Sequence, residues 1–232
     1  MTELTFGLTA PERCSYLPGQ QEQVVFLLPD HPIDAQLYQQ LLQHNFRRSG
    51  NDVYRPHCPA CQQCQSVRLT VSNFAPNRRQ RRILQRAKRA HFHTRLVAPS
   101  SNYYPLYQRY INARHADGAM YPPSPEQLDS LLHCNWLPVK VLEIYHQQQL
   151  IAVTVVDVLD KALSAVYTFY HPDYQHYSPG VLAILGLIEQ AQQKQKAYLY
   201  LGYYVADCAK MAYKAEFQPQ QRFSAEKWQT IA

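Results

Sequence analysis

The chain has 232 residues and a mass of 27.0 kDa, enough for one large domain or two small ones with an apolar core, and long enough for an enzyme. No run approaches the roughly 20 apolar residues of a membrane span, and the start, MTELTFGLTAPERC, has neither a basic nor an apolar leader pattern, so a soluble cytoplasmic protein with reduced cysteines is expected. The net charge of +6 comes from 23 basic and 17 acidic side chains, yet residues 78–89 alone hold 7 basic and no acidic residue, leaving 16 against 17 elsewhere. The excess is one local patch, the footprint of a polyanion site.

In chain order, Val24 to Leu28 reads as a short apolar strand, and Asp34 as the cap of a helix striped by Leu37, Tyr38, Leu41 and Leu42. A cysteine loop follows, with Cys58, Cys61 and Cys64 at regular spacing and Cys14 upstream. Val67 to Val71 alternates with period two and reads as a strand leading to a helix capped by Asn77. On that helix Arg78, Arg79, Arg82, Arg86 and Arg89 fall within about a 100° arc, and Ile83, Leu84, Ala87 and Ala90 take the packing side. A Tyr-rich helix spans Tyr103 to His115. Turn chemistry at 117–124 then places Ser124 as the cap of a helix through Leu132.

Val139 to Tyr145, Leu150 to Leu159 and Ala162 to Tyr170 read as an antiparallel meander. After it come an apolar-striped helix from Pro179 to Gln193, a strand from Ala197 to Leu201, a short helix near Asp207 to Tyr213, and a last strand around Gln221 to Phe223. This order is similar to the central part of the N-acetyltransferase-like (GNAT) fold. The expected class is therefore α/β (α+β), a GNAT-like acyltransferase region at residues 99–232 preceded by a smaller cysteine-rich, basic region at residues 1–98. A coenzyme A user would place a Gly-rich phosphate loop between the third strand and the long helix. The segment from His171 to Gly180 has one glycine, so coenzyme A is not the expected donor.

Cys14, Cys58, Cys61 and Cys64 are the candidate metal ligands, since soft thiolates close zinc sites or hold iron–sulfur clusters; His57 is the substitute fourth ligand. Cys134 and Cys208 lie in helical patterns and read as small core residues. Solvated faces mix both signs and favour Lys, whereas the 78–89 helix is nearly all Arg. Guanidinium forks match phosphates and stack on bases, so Arg78, Arg79, Arg82, Arg86 and Arg89 are the expected RNA contacts. His171 and Asp173 sit where a transferase of this strand order places its cleft.

With these residues in view, the chain resembles the aminoacyl-tRNA–protein transferase family, and within it the bacterial aspartate/glutamate leucyltransferases. The matching text runs through nearly the whole chain: Cys14-Ser15-Tyr16-Leu17-Pro18, FRRSG at 46–50, YRPHCPACQQC at 54–64, RHADGAMYPPS at 114–124, LSAVYTFYHPD at 163–173 and YLYLGYYVADCAKMAYK at 198–214. The resemblance implies a cytoplasmic enzyme that takes leucine from leucyl-tRNA and joins it to the α-amino group of a protein beginning with Asp or Glu, marking it for degradation by the N-degron pathway. His171, Pro179, Tyr204 and Ala119 depart from the pattern expected of the family.

An aminoacyl ester is already activated, so the chemistry asks mainly for positioning, a neutral amine and oxyanion stabilisation. Arg114, Lys210 and Lys214 are the candidates to read the acceptor's carboxylate, and His171, Asp173 or Asp207 to receive the amine proton. Rival readings are arginyl transfer to the same acceptors, transfer onto basic N-termini, a non-catalytic metal-dependent tRNA-binding protein, and a redox or iron–sulfur sensor.

Overall fold

A computed structural model describes residues 4–28, 30, 32–118 and 120–231 of the chain; Ala119 lies outside the described residues. Strands β1 (Phe6–Leu8), β2 (Glu12–Arg13), β3 (Gln21–Glu22) and β4 (Val24–Leu27) precede helix α1 (Ala35–Leu42), and β5 (Arg47–Ser49) and β6 (Asp52–Pro56) follow it. Four of these strands form a small antiparallel sheet in the order β1-β4-β6-β5, and β2 and β3 make a separate hairpin. Helix α1 starts where expected: the Asp34 carboxylate accepts from the Leu37 amide at 2.7 Å.

The remaining strands are β7 (Gln65–Thr70), β8 (Phe92–Val97), β9 (Val139–His146), β10 (Gln149–Val158), β11 (Ala162–Tyr170), β12 (Tyr198–Tyr204), β13 (Gln220–Ser224) and β14 (Lys227–Ile231). They form one eight-stranded sheet in the order β14-β13-β7-β12-β11-β10-β9-β8. The helices are α2 (Arg78–Arg89), α3 (Tyr104–Arg114), α4 (Pro125–Leu132) and α5 (Pro179–Gln193), with 3-10 turns at Val71–Asn73, Ser101–Tyr103, Pro172–Tyr177 and Ala209–Glu216. The meander β9-β10-β11 is antiparallel, and β12 joins β11 in parallel after the α5 crossover, which is the GNAT-like order. Sequence position 98 does not break this sheet, because β7 and β8 from the first part are two of its strands. No helix is long and apolar enough to cross a membrane.

Helix α5 lies on one face of the sheet, where Val181, Ile184, Leu185 and Ile188 pack with Val67, Leu69, Leu142, Val156, Leu163 and Leu199. It is buried almost all round, since Leu182 and Ala183 also meet Ala87 of α2. Helices α3 and α4 form a second cluster, in which Tyr103, Tyr107, Ile111, Leu128 and Leu132 pack with Val153, Val155 and Phe169.

The small sheet is fastened through its last strand. Arg48 Nε donates to Asp157 Oδ1 of β10 at 2.7 Å and Tyr38 Oη donates to Oδ2 at 3.2 Å, with both charged side chains fully buried. Successive strand residues point opposite ways, so neighbouring Arg47 reaches β11, where Nη2 donates to the Ala165 carbonyl at 3.1 Å.

Candidate functional site

Helix α2 is set by a capping box: the Asn77 side chain accepts from the Gln80 amide and the Gln80 side chain accepts from the Asn77 amide, both at 2.9 Å. Gln80, Ile83, Ala87 and Ala90 turn inward, and Arg78, Arg79, Arg82, Arg86 and Arg89 are all exposed. Leu84, expected on the packing side, is 39% exposed. The inward face is centred on Gln80, whose amide donates to the Glu216 carbonyl at 3.1 Å, and this rotates Leu84 to the flank.

Arg79 pairs with Glu216. Arg86 Nη1 donates to the His176 carbonyl at 2.8 Å, and its guanidinium lies 4.6 Å from the centre of the Tyr177 ring. Arg78, Arg82 and Arg89 make no hydrogen bond or ion pair among the described residues, so three guanidinium groups stand free along the exposed row.

The turn after β11 receives cations from two helices. Besides Arg86 of α2, Arg114 of α3 donates to Gln175 Oε1 at 3.1 Å, and Arg109, one turn earlier, donates to His171 Nε2. His171 is 7% exposed, and its Nδ1 lies 3.8 Å from Asp173 Oδ2 without a hydrogen bond. An arginine only donates, so Nε2 accepts and the ring hydrogen sits on Nδ1. As placed, the imidazole offers no free lone pair to a proton; it anchors the turn. The Asp173 carboxylate is 85% exposed, and Asp207 is exposed in a different turn, with no contact joining it to His171.

Beside this turn the ends of β11 and α3 make a tyrosine-lined wall. The Tyr110 ring lies 4.8 Å from that of Tyr170, and its hydroxyl is 3.3 Å from His115 Nε2. The Tyr167 hydroxyl is buried with no partner. Burial pushes the Tyr110 and Tyr167 hydroxyls above the ordinary phenol range and Tyr213 up to about 12.

The acceptor candidates separate. Lys210 is exposed and already paired with Asp117 at 3.3 Å. Lys214 is half-buried, and its Nζ donates to the Tyr203 carbonyl at 2.6 Å. Burial, aided by the nearby Arg47 guanidinium, pulls its ammonium down to about 7. Arg47 and Arg109 belong to this landscape although no motif of charge or spacing singled them out, whereas Tyr167 is one of the abundant tyrosines of the second region, a minority of which could line a nucleotide pocket. For Arg47 the available signal was position: two adjacent arginines in a short strand within the FRRSG segment.

Cys14 lies in the β2–β3 hairpin and Cys58, Cys61 and Cys64 in the loop between β6 and β7, and the other three are near enough to Cys64 to act on its thiol. Burial pushes the Cys64 thiol up to about 12, helped by Cys58, Cys14, Cys61 and Glu22 around it. Cys14 Sγ accepts from the Tyr16 and Leu17 amides at 3.5 and 3.4 Å, and Cys58 Sγ donates to the Gln23 carbonyl at 3.7 Å. Among the described residues no group of three or more His, Cys, Asp or Glu side chains is arranged to hold a metal ion. The donor chemistry nonetheless fits a thiophilic metal, because crowding that opposes thiolate formation is reversed by a divalent cation.

The strand order is GNAT-like, helix α2 carries the exposed arginines, and the turn after β11, beside the parallel strands, receives three more. Residues 12–82 match the family described as arginine-tRNA-protein transferase, N terminus, and residues 102–224 match arginine-tRNA-protein transferase, C terminus. The aspartate/glutamate leucyltransferase of Aeromonas hydrophila is 44% identical over 100% of this chain and 98% of its own length. Those of Pseudomonas savastanoi and Pseudoalteromonas atlantica are 43% and 42% identical, over 100% and 99% of this chain and 100% and 98% of their own lengths. Among solved structures, a conserved protein of unknown function from Bacteroides thetaiotaomicron has a TM-score of 0.51 at 9% identity, covering 87% of this chain and 81% of that one. FemX has a TM-score of 0.50 at 7% identity, covering 92% and 84%. These two show the fold alone. The chain belongs to the arginine-tRNA-protein transferase family, and it is an aminoacyltransferase.

Proposed function

We propose that this enzyme transfers leucine from leucyl-tRNA to the α-amino group of proteins that begin with Asp or Glu, marking them for degradation in the cytoplasm. The observation that carries this reading is full-length identity of 42–44% to relatives named for that activity. In the reaction the acceptor nitrogen attacks the leucyl carbonyl carbon, a peptide bond forms, the ester bond to the terminal ribose breaks, and the departing ribose oxygen takes up a proton to leave as a hydroxyl. The ammonium proton leaves with solvent or with an exposed carboxylate, for which Asp173 and Asp207 are the candidates, while His171 holds the turn in place.

The exposed row Arg78, Arg82 and Arg89 suits the tRNA backbone, and Arg86, Arg109 and Arg114 suit its approach to the cleft. Cys14, Cys58, Cys61 and Cys64 would hold a structural zinc ion or an iron–sulfur cluster, whose binding ties the hairpin to the cysteine loop.

The test is to incubate the protein with radiolabelled leucyl- or arginyl-tRNA and peptides beginning with Asp, Glu, Lys or Ala. Leucine appearing only on Asp and Glu peptides is expected. Arginine moving instead would replace the donor, and tRNA binding without transfer would favour a non-catalytic RNA-binding role.

A further inference from the structure

Strands β11 and β12 pair only at Ala162↔Tyr198, Leu163↔Leu199 and Ser164↔Tyr200. Past that point β12 shifts register against β7 between Tyr200 and Gly202, where Gly202 has a φ of +82° that side-chain-bearing residues rarely adopt. The two parallel strands thus part at this bend, and Ala165 is the first residue of β11 beyond the pairing.

Two cations occupy the parting. Arg47 is 6% exposed; its Nη2 is satisfied by the Ala165 carbonyl, while Nη1 is buried with no hydrogen-bond partner. A Cβ on Gly202 would stand 3.4 Å from both Arg47 Nη2 and Lys214 Nζ, so both cations crowd the one residue with no side chain. The charged or titratable groups bearing most on Lys214 are Arg47 of β5 and Cys208 from the turn after β12; no carboxylate is among them.

Burying two like charges side by side, with the Arg47 Nη1 donor unpaired, costs stability that the Asp157 carboxylate near Arg47 offsets only in part. Such a pair is preorganised for an anion, and a guanidinium edge with one free donor beside an ammonium matches the two oxygens of a carboxylate. We propose that Arg47 and Lys214 bind the side-chain carboxylate of the acceptor's N-terminal Asp or Glu at the parting of β11 and β12. This assignment rests on the acceptor class proposed above. The phosphates of the tRNA have their own exposed cations on α2, which leaves the interior pair to the acceptor. Gly202 puts no side chain between the two cations, and a bound carboxylate would favour the charged form of Lys214 that burial disfavours.

Leucyl transfer is measured with peptides beginning with Asp, Asn, Glu and Gln, on the wild type and on Arg47→Met, Arg47→Lys and Lys214→Met, with leucyl-tRNA affinity recorded separately. The wild type should favour Asp over Asn. Each Met variant should raise KM for the Asp peptide by about tenfold or more, as expected for losing a hydrogen bond to a charged group, with the Asn peptide and tRNA affinity little changed. Arg47→Lys should recover part of the preference.

A second readout needs no variant. Calorimetry on the wild type at pH 8, in buffers of different ionisation enthalpy, should show proton uptake with the Asp peptide in excess of that with Asn. If the wild type moves leucine to neither Asp nor Glu peptides, the acceptor class falls and this inference with it. If the wild type discriminates while the variants weaken Asp and Asn peptides equally, or if the two peptides take up protons equally, the acceptor class stands and the Arg47–Lys214 pocket is overturned.

Discussion

Asp157 accepts from Arg48 and Tyr38, and both charged side chains are fully buried, so its role is set by what happens when one partner goes. Asp157→Ala leaves the Arg48 guanidinium buried and unpaired and should cost about 3–5 kcal/mol, read from urea unfolding midpoints. A double replacement of Asp157 and Arg48 by apolar residues should cost much less. Lys214 makes the complementary case. Its value in the fold, about 7, lies below the unfolded 10.5, so between these pH values the unfolded chain binds more protons and stability climbs as pH rises. The penalty is complete below pH 7 and relieved above it. Lys214→Met should therefore flatten the rise, with the variant's advantage largest at low pH and shrinking toward pH 10.5; a parallel pair of unfolding profiles would count against the shift.

Helix α2 presents its free arginines because the capping box and the Gln80 contact fix its rotation. Arg82→Ala should weaken tRNA binding in fluorescence anisotropy and reduce the salt slope by about 0.7–0.9 per lost phosphate contact. Arg79→Ala, already paired with Glu216, should change it less. Elements of this kind were legible in the sequence because their signals are local: Asp34, Asn77 and Ser124 each cap the helix they were expected to cap. The edge strands β5, β8 and β14 were not, since a three- to six-residue strand half-exposed at an edge carries little alternation and takes its meaning from a distant partner. The same divide runs through the site. The cysteines and the arginine row declare themselves by type and spacing, whereas Arg47 looks like any surface arginine until its burial is known.

At the scale of the whole molecule, the cysteine region and the transferase region are linked twice, through the Arg48–Asp157 pair and through shared strands. Complete metal removal should therefore loosen the β2–β3 hairpin and the cysteine loop first, seen as faster amide exchange at residues 12–64, with leucyl transfer lost as the region opens. Unchanged exchange in protein shown by elemental analysis to be metal-free would argue against a structural metal.

The placing of β7 between β12 and β13 also bears on how the chain is made. Residues 65–70 leave the ribosome early, yet both of their neighbours are strands that begin at Tyr198 and Gln220. No nascent chain shorter than about that length can close the middle of the sheet, and β7, with Val67 and Leu69 in the final core, must wait with its edges open. The interval between translating residue 70 and residue 224 is the period in which this protein is most exposed to aggregation, and in which a chaperone would find the most to hold.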